Sequence, residues 1–204
     1  TFIDTHAHLY DEAFTGEEDL AIARSVEAGV TKIIFPDIDS QTREHMFRIA
    51  SRHEGTVFPC LGLHPTSIDA SWEKEMEKVH ENLSRKIWAI GEIGMDCYWS
   101  REFVKEQETA FRMQLELADR LSLPVIIHSR ESTELIINIL KLLCDAIKNV
   151  YDSKKKLALF GAEYHAVAAV LAEEGLHLPE LTGDFAVAAQ RQTLSVALRG
   201  KCCP

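Results

Sequence analysis

The feature that most constrains this chain is an alternation. Short apolar runs of strand length recur between longer amphipathic stretches of helix length. The runs are Phe2-Ile3 leading into Asp4, Thr31 to Pro36, Thr56 to Leu63, Ile87 to Ile90, and Pro124 to Ile127. Helical patterns follow them at Gly16 to Ala28, Ser40 to about His53, Ser71 to about Leu83, about Glu102 to Leu121, and Glu131 to about Leu143. Gly29 closes the first helix, and Asp39 or Ser40 caps the second. Strand then helix, five times over, predicts a parallel sheet with crossover helices. Either a (β/α)8 barrel or an open doubly wound sheet satisfies that pattern. No G-x-G-x-x-G follows the first strand, which counts against a dinucleotide site.

The ends of these strands carry the chemistry. The first runs into His6 and His8, whose i, i+2 spacing in extended chain places both imidazoles on one face. The third is followed by Gly62-Leu63-His64-Pro65, the fourth by Gly91-Glu92-Ile93-Gly94-Met95-Asp96, and the fifth by His128-Ser129-Arg130-Glu131. Histidines and acids thus collect at the strand ends, where barrels build active sites. Neutral imidazole and carboxylate are ligands for zinc and similar cations. His6 and His8 can hold one cation, Glu92 has two oxygens with which to bridge a pair, and His128 can bind the second. Two cations about 3.5–4 Å apart activate a water and stabilise the attacking and leaving oxygens of a displacement. Glu92 and Arg130 are the catalytic candidates, and Arg130 suits an anionic group such as phosphate.

Some of these residues have a second reading. His64 is a substrate contact or only a turn residue before Pro65. Asp96 reads as a turn cap more readily than as a catalytic acid. Arg130 and Glu131 could form a surface pair. Glu92 lies between Gly91 and Gly94 across Ile93, which indicates close backbone approach rather than a solvated acid. Tyr98 and Trp99 could line a groove.

Composition sets outer limits. A net charge of −10 disfavours a broad basic surface for nucleic acid, although bound cations can offset it locally. The five cysteines are scattered and contain no C-x-x-C, which argues for reduced thiols. No apolar run approaches the ~20 residues of a membrane span. The N-terminal residues lack the basic start and apolar core of a signal peptide. The expectation is a cytoplasmic protein without a membrane partner.

Taken together, the motifs resemble the TatD family of metal-dependent hydrolases. They are Phe2-Ile3-Asp4-Thr5-His6-Ala7-His8-Leu9, Gly62 to Pro65, Ala89 to Asp96, Gln107 with Phe111, Gln114 and Leu115, and Leu123 to Glu131. The resemblance spans residues 2 to about 143, with the motifs in family order. It implies a (β/α)8 barrel and hydrolysis of phosphodiesters in DNA. It implies His6 and His8 on one divalent cation, Glu92 as the bridge and His128 on the other, with zinc, manganese or magnesium all admissible. It also implies that DNA is the partner, with His64 and Arg130 as substrate contacts.

The tail departs from the family, and the expected division is a barrel portion at 1–143 and an atypical tail at 144–204. The family's sixth strand carries Phe-His-x-Phe-x-Gly, but here Leu157-Ala158-Leu159-Phe160-Gly161 has Ala158 at the histidine position. A Glu-Thr-Asp-Ser-Pro segment is also missing. The tail reads as helical at Glu163 to Glu174 and Ala186 to Leu198, with room for a short strand at Gly175 to Pro179. It is expected to be a truncation or reading-frame artefact of a longer chain, since such barrels need about 250 residues. Otherwise His165 or His177, with Asp184, are substitute ligands. Two rival functions remain: an amide or ester hydrolase for a small metabolite, and an inactive remnant with unpaired strand edges.

Overall fold

A computed structural model describes residues 2–148, together with the strands at 156–160, 189–190 and 193–199. Five βα units appear in chain order. They are β1 Phe2–Asp4 with α1 Glu18–Glu27, β2 Val30–Phe35 with α2 Ser40–Arg52, and β3 Val57–Pro59 with α3 Trp72–Glu81. β4 Ile90–Asp96 with α4 Val104–Leu121 and β5 Val125–Arg130 with α5 Thr133–Lys148 complete the set, and β6 Lys156–Phe160 follows. β1, β2 and β3 are parallel neighbours, as are β4, β5 and β6. Leu61 bridges the two groups: it pairs with Ile90, donates to the Ala89 carbonyl at 3.1 Å and accepts from Gly91 N–H at 2.9 Å. Strand order is therefore sequential from β1 to β6. A doubly wound sheet reverses its order at a switch point, so the observed order is that of a barrel wall.

Apolar residues sort by face. Ile33 and Phe35 of β2 pack with Ile22, Met46 and Ile49 of α1 and α2. Ile93, Met95, Val125 and Ile127 pack with Phe111, Leu117, Ile136 and Leu140 of the later helices. On the opposite face, Ile34, Cys60, Ala89 and Ile126 form a small cluster of their own. Each fully buried aliphatic or aromatic side chain contributes roughly 1.5–3 kcal/mol, so the helix-facing layers hold the wall together. Asp39 caps α2 by accepting from Gln41 N–H at 2.9 Å.

The fourth strand differs from expectation. It occupies Ile90–Asp96 rather than Ile87–Ile90, so Glu92 lies within it and not beyond its end. Its glycines indicate close backbone approach in the sequence, and the structure bears that out. Here they permit contact. A Cβ on Gly91 would lie 2.5 Å from Ile126 Cβ, and one on Gly94 would lie 2.1 Å from the His128 carbonyl oxygen, with φ at +140°. The pairing of β4 with β5 is irregular between Ile90 and Ile93, and both isoleucines join the same helix-facing cluster. That break in alternation turns Glu92 away from the helices.

The tail also differs in one respect. Ala189–Gln190 (β7) and Thr193–Arg199 (β8) are strands where a helix was expected. β8 pairs antiparallel with β6, and β7 with β8. Thr-Leu-Ser-Val-Ala-Leu satisfies a period of two as well as a helical one, the usual ambiguity of a short apolar run. The expected segments 163–174 and 175–179 lie outside the described residues, as do His165, His177 and Asp184.

Candidate metal centre

Glu92 is the centre of the cluster. It is 4% exposed, and its two oxygens face different histidines. Oε2 lies 3.1 Å from His6 Nε2, 3.7 Å from His8 Nε2 and 3.7 Å from His64 Nε2. Oε1 lies 3.2 Å from His128 Nδ1. His6 and His8 present their Nε2 atoms 2.9 Å apart, just past the end of β1. The His64 and His128 rings meet edge-on at 4.5 Å between centroids. Two triads result, His6–His8–Glu92 and His64–Glu92–His128, and in each the ligand atoms lie within 4.8 Å of one another. Ligands about 2.0–2.2 Å from a tetrahedral cation stand roughly 3.3–3.5 Å apart, so the observed spacings fit a cation with little movement.

The electrostatics of the cluster are mutual. Burial pushes the Glu92 carboxyl up, but His6, His64 and His128 outweigh it and hold the group well below the usual carboxylate range. Burial drives His64 down to about 4, with the neighbouring histidines adding to the effect, so it is neutral near pH 7. His128 moves the other way. Burial opposes its charge, yet hydrogen bonds and attraction from Glu92 and Asp96 raise it.

Surrounding groups fix the tautomers and the backbone. The buried Tyr10 hydroxyl donates to the Pro36 carbonyl, and His8 Nδ1 lies 2.7 Å from the same hydroxyl. Burial keeps this phenol protonated, so its one hydrogen goes to Pro36 and His8 Nδ1–H must donate to it. His8 Nε2 is then left with its lone pair toward Glu92. Asp96 does the same for His128, with Oδ2 2.9 Å from Nε2. Asp37 spans the cis Gly91–Glu92 peptide: its N–H donates to the Gly91 carbonyl at 2.9 Å, and its carbonyl accepts from Glu92 N–H at 3.0 Å. Its carboxylate is fully buried against Arg43 at 2.7 Å. From α4, Gln114 holds both backbone groups of Leu63, accepting at 2.7 Å and donating at 3.2 Å. Gln107, two turns earlier, grips Asp96 in the same way at 2.9 and 3.1 Å.

The structure thus brings His6, His8, His64, Glu92 and His128 together. His64 takes the turn reading, its Nδ1 capping a short 3-10 turn by accepting from Thr66 N–H at 3.2 Å, while its ring lies beside Glu92 and His128. Asp96 likewise caps a turn, through Tyr98 and Trp99, while touching His128. Arg130 stands apart. It is exposed at the end of β5 and stacks on Tyr98, its Cζ 3.8 Å from the ring centre.

The sequence model of the TatD related DNase family matches residues 3–168. The chain belongs to that family. Metal-dependent hydrolase YjjV of Escherichia coli is 34% identical over 134 residues, covering 64% of this chain and 51% of the relative. A Pantoea protein named 3′-5′ ssDNA/RNA exonuclease TatD is 32% identical over 131 residues, covering 63% and 50%. The crystal structure of the E. coli YjjV protein superposes with a TM-score of 0.60 at 31% identity, covering 69% of this chain and 55% of that one. The chain spans about half the length of these curated relatives. Its fold is the TIM-barrel hydrolase fold of TatD proteins, consistent with the sequential strand order.

Sequence reasoning passed over Tyr10 and Asp37. Tyr10 continues the i, i+2 series of His6 and His8, and Asp37 follows the second strand as the other polar candidates follow theirs. Both signals were available. Arg43 gave none, being one more cation in a helical stretch.

Proposed function

We propose that this chain carries a two-cation site for hydrolysis of phosphodiesters in DNA. The observation behind the reading is the buried Glu92 carboxylate, each oxygen of which faces its own histidine partners. His6, His8 and Glu92 would hold one divalent cation. Glu92 and His128 would hold the second, with His64 close enough to join them. The donor set suits zinc or manganese. When bound, such cations supply Lewis-acid charge to a phosphoryl group and lower the pKa of water. The protein's own groups prepare the site. Tyr10 and Asp96 set the imidazole tautomers, Gln114 holds the backbone of Leu63 next to His64, Asp37 holds the backbone of Glu92, and burial excludes competing water. Arg130 at the rim would meet a phosphate oxygen. DNA as substrate is supported by the family's nuclease members, among them the Pantoea exonuclease. β1 to β6, followed by an antiparallel strand pair, support the reading of an incomplete barrel. Cys60 and Cys97 are free thiols, in keeping with a cytoplasmic location.

The test is metal stoichiometry paired with hydrolysis. After equilibration with zinc or manganese, the wild-type chain should retain two cations and cleave labelled DNA. Glu92→Ala should lose both properties, whereas His45→Ala, whose imidazole pairs with Glu18 of α1, should lose neither. Retention of both cations by Glu92→Ala would refute the bridge.

A further inference from the structure

We propose that Tyr98, Trp99 and Arg130 form a stacking platform for an unpaired nucleobase beside the metal centre. The inference rests on the phosphodiester reading and adds to it the residues that would seat a base. Trp99 is 70% exposed and Tyr98 49%, unusual for two adjacent large aromatics. They are ordered nonetheless. Their rings meet edge-to-face at 4.9 Å and 82°, and their backbone N–H groups both donate to Asp96 Oδ1, at 3.0 and 3.4 Å. The other oxygen of Asp96 lies against His128. One carboxylate therefore ties the aromatic pair to the candidate metal ligand. Three residues of chain reach at most about 11 Å, so the Trp99 backbone lies within that distance of Asp96.

Arg130 completes the platform. It pairs in register with Asp96, and its carbonyl accepts from Cys97 N–H at 2.9 Å, which fixes where it leaves β5. Its guanidinium covers one face of Tyr98 and lies 5.1 Å from the Trp99 ring centre. Among the described residues it forms no ion pair, so its charge is available to a phosphate. Aromatic face plus fixed cation is how sequence-tolerant binding of single strands is built, because every base has a π-face and each nucleotide a phosphate. A duplex hides its base faces, so the occupant is an unpaired base.

The probe is a labelled oligothymidylate with phosphorothioate linkages, which resist cleavage, set against an abasic oligomer of equal length and charge. Binding to the manganese-loaded chain is read by anisotropy. The wild type should bind the base-bearing oligomer more tightly. Trp99→Ala should weaken that binding roughly 5- to 150-fold, the range for loss of one stacked base, and leave the abasic oligomer unaffected. Trp99→Phe should restore most of the loss. Equal binding of both oligomers by the wild type would overturn the platform alone. An equal loss of both in Trp99→Ala would do the same, since it would mark a general structural effect. Binding of neither oligomer would overturn the phosphodiester reading and the platform with it.

Discussion

Gln114→Met should destabilise the chain through two backbone groups that lie fifty-one residues away in sequence. Methionine keeps the length and volume of glutamine and nearly the same helix propensity, so neither a cavity nor helix weakening enters. What disappears is the amide that accepts from Leu63 N–H at 2.7 Å and donates to the Leu63 carbonyl at 3.2 Å. Gln114 is 1% exposed and Leu63 is fully buried, so water has no open route to replace it. Each orphaned group costs about 1–3 kcal/mol, or about 2–6 kcal/mol for the pair. That is a large share of the 5–15 kcal/mol typical of a whole domain. Urea unfolding should show a lower midpoint at unchanged slope. Thermal unfolding should fall by roughly 2–4 °C per kcal/mol. Leu63 precedes His64, so cation affinity at the His64–Glu92–His128 group should fall while His6–His8–Glu92 keeps its own. A variant within about 0.5 kcal/mol of wild type would refute the reasoning, since an ordinary surface substitution does no more.

Three further outcomes follow from the same contacts. Tyr10→Phe removes the hydroxyl that accepts from His8 Nδ1–H, and should weaken cation binding at the first group about 10- to 100-fold, read by calorimetric titration. Gly94→Ala places a Cβ 2.1 Å from a backbone oxygen on β5 and should abolish folded yield, whereas Gly16→Ala, which meets open space, should cost only about 1–3 kcal/mol through its positive φ. Glu92 and Asp96 raise His128, so its proton persists to higher pH than on a free imidazole. A cation must displace that proton, so affinity at the second group should drop about tenfold per pH unit as pH falls below that raised pKa, measured as bound metal between pH 8 and 5.

Much of the barrel wall was legible because its signal is local. β2 and β5 announce themselves as apolar runs, and α2 and α4 as periodic stretches with a cap or a polar face. β4 was misplaced because its residues are chosen for what lies across from them. Gly91 and Gly94 signal close approach in the sequence, but only the distances to Ile126 and His128 place them inside a strand. β8 was misread for a different reason: seven residues with mixed periodicity leave helix and strand equally satisfied until a partner such as β6 is present.

The candidate site divides along the same line. His6, His8, His64, Glu92 and His128 could be found because histidine and acid at strand ends are chemically conspicuous. The groups that aim them could not all be found, because they act at a distance in sequence: Tyr10 on Pro36, Asp37 on Gly91 and Glu92, Gln114 on Leu63. The contacts of Asp37 and Gln114 also cross the seam between the β1–β3 and β4–β6 groups, where Leu61 pairs with Ile90 and Trp88 N–H donates to the Pro59 carbonyl at 3.0 Å. Both candidate ligand triads straddle that seam, since His6, His8 and His64 come from one side and Glu92 and His128 from the other. A cation in either triad would therefore tie the two strand groups together through side chains as well as backbone. Cation binding is thereby coupled to folding, and each cation held by the folded chain alone at 100 times its Kd would add about 2.7 kcal/mol to stability.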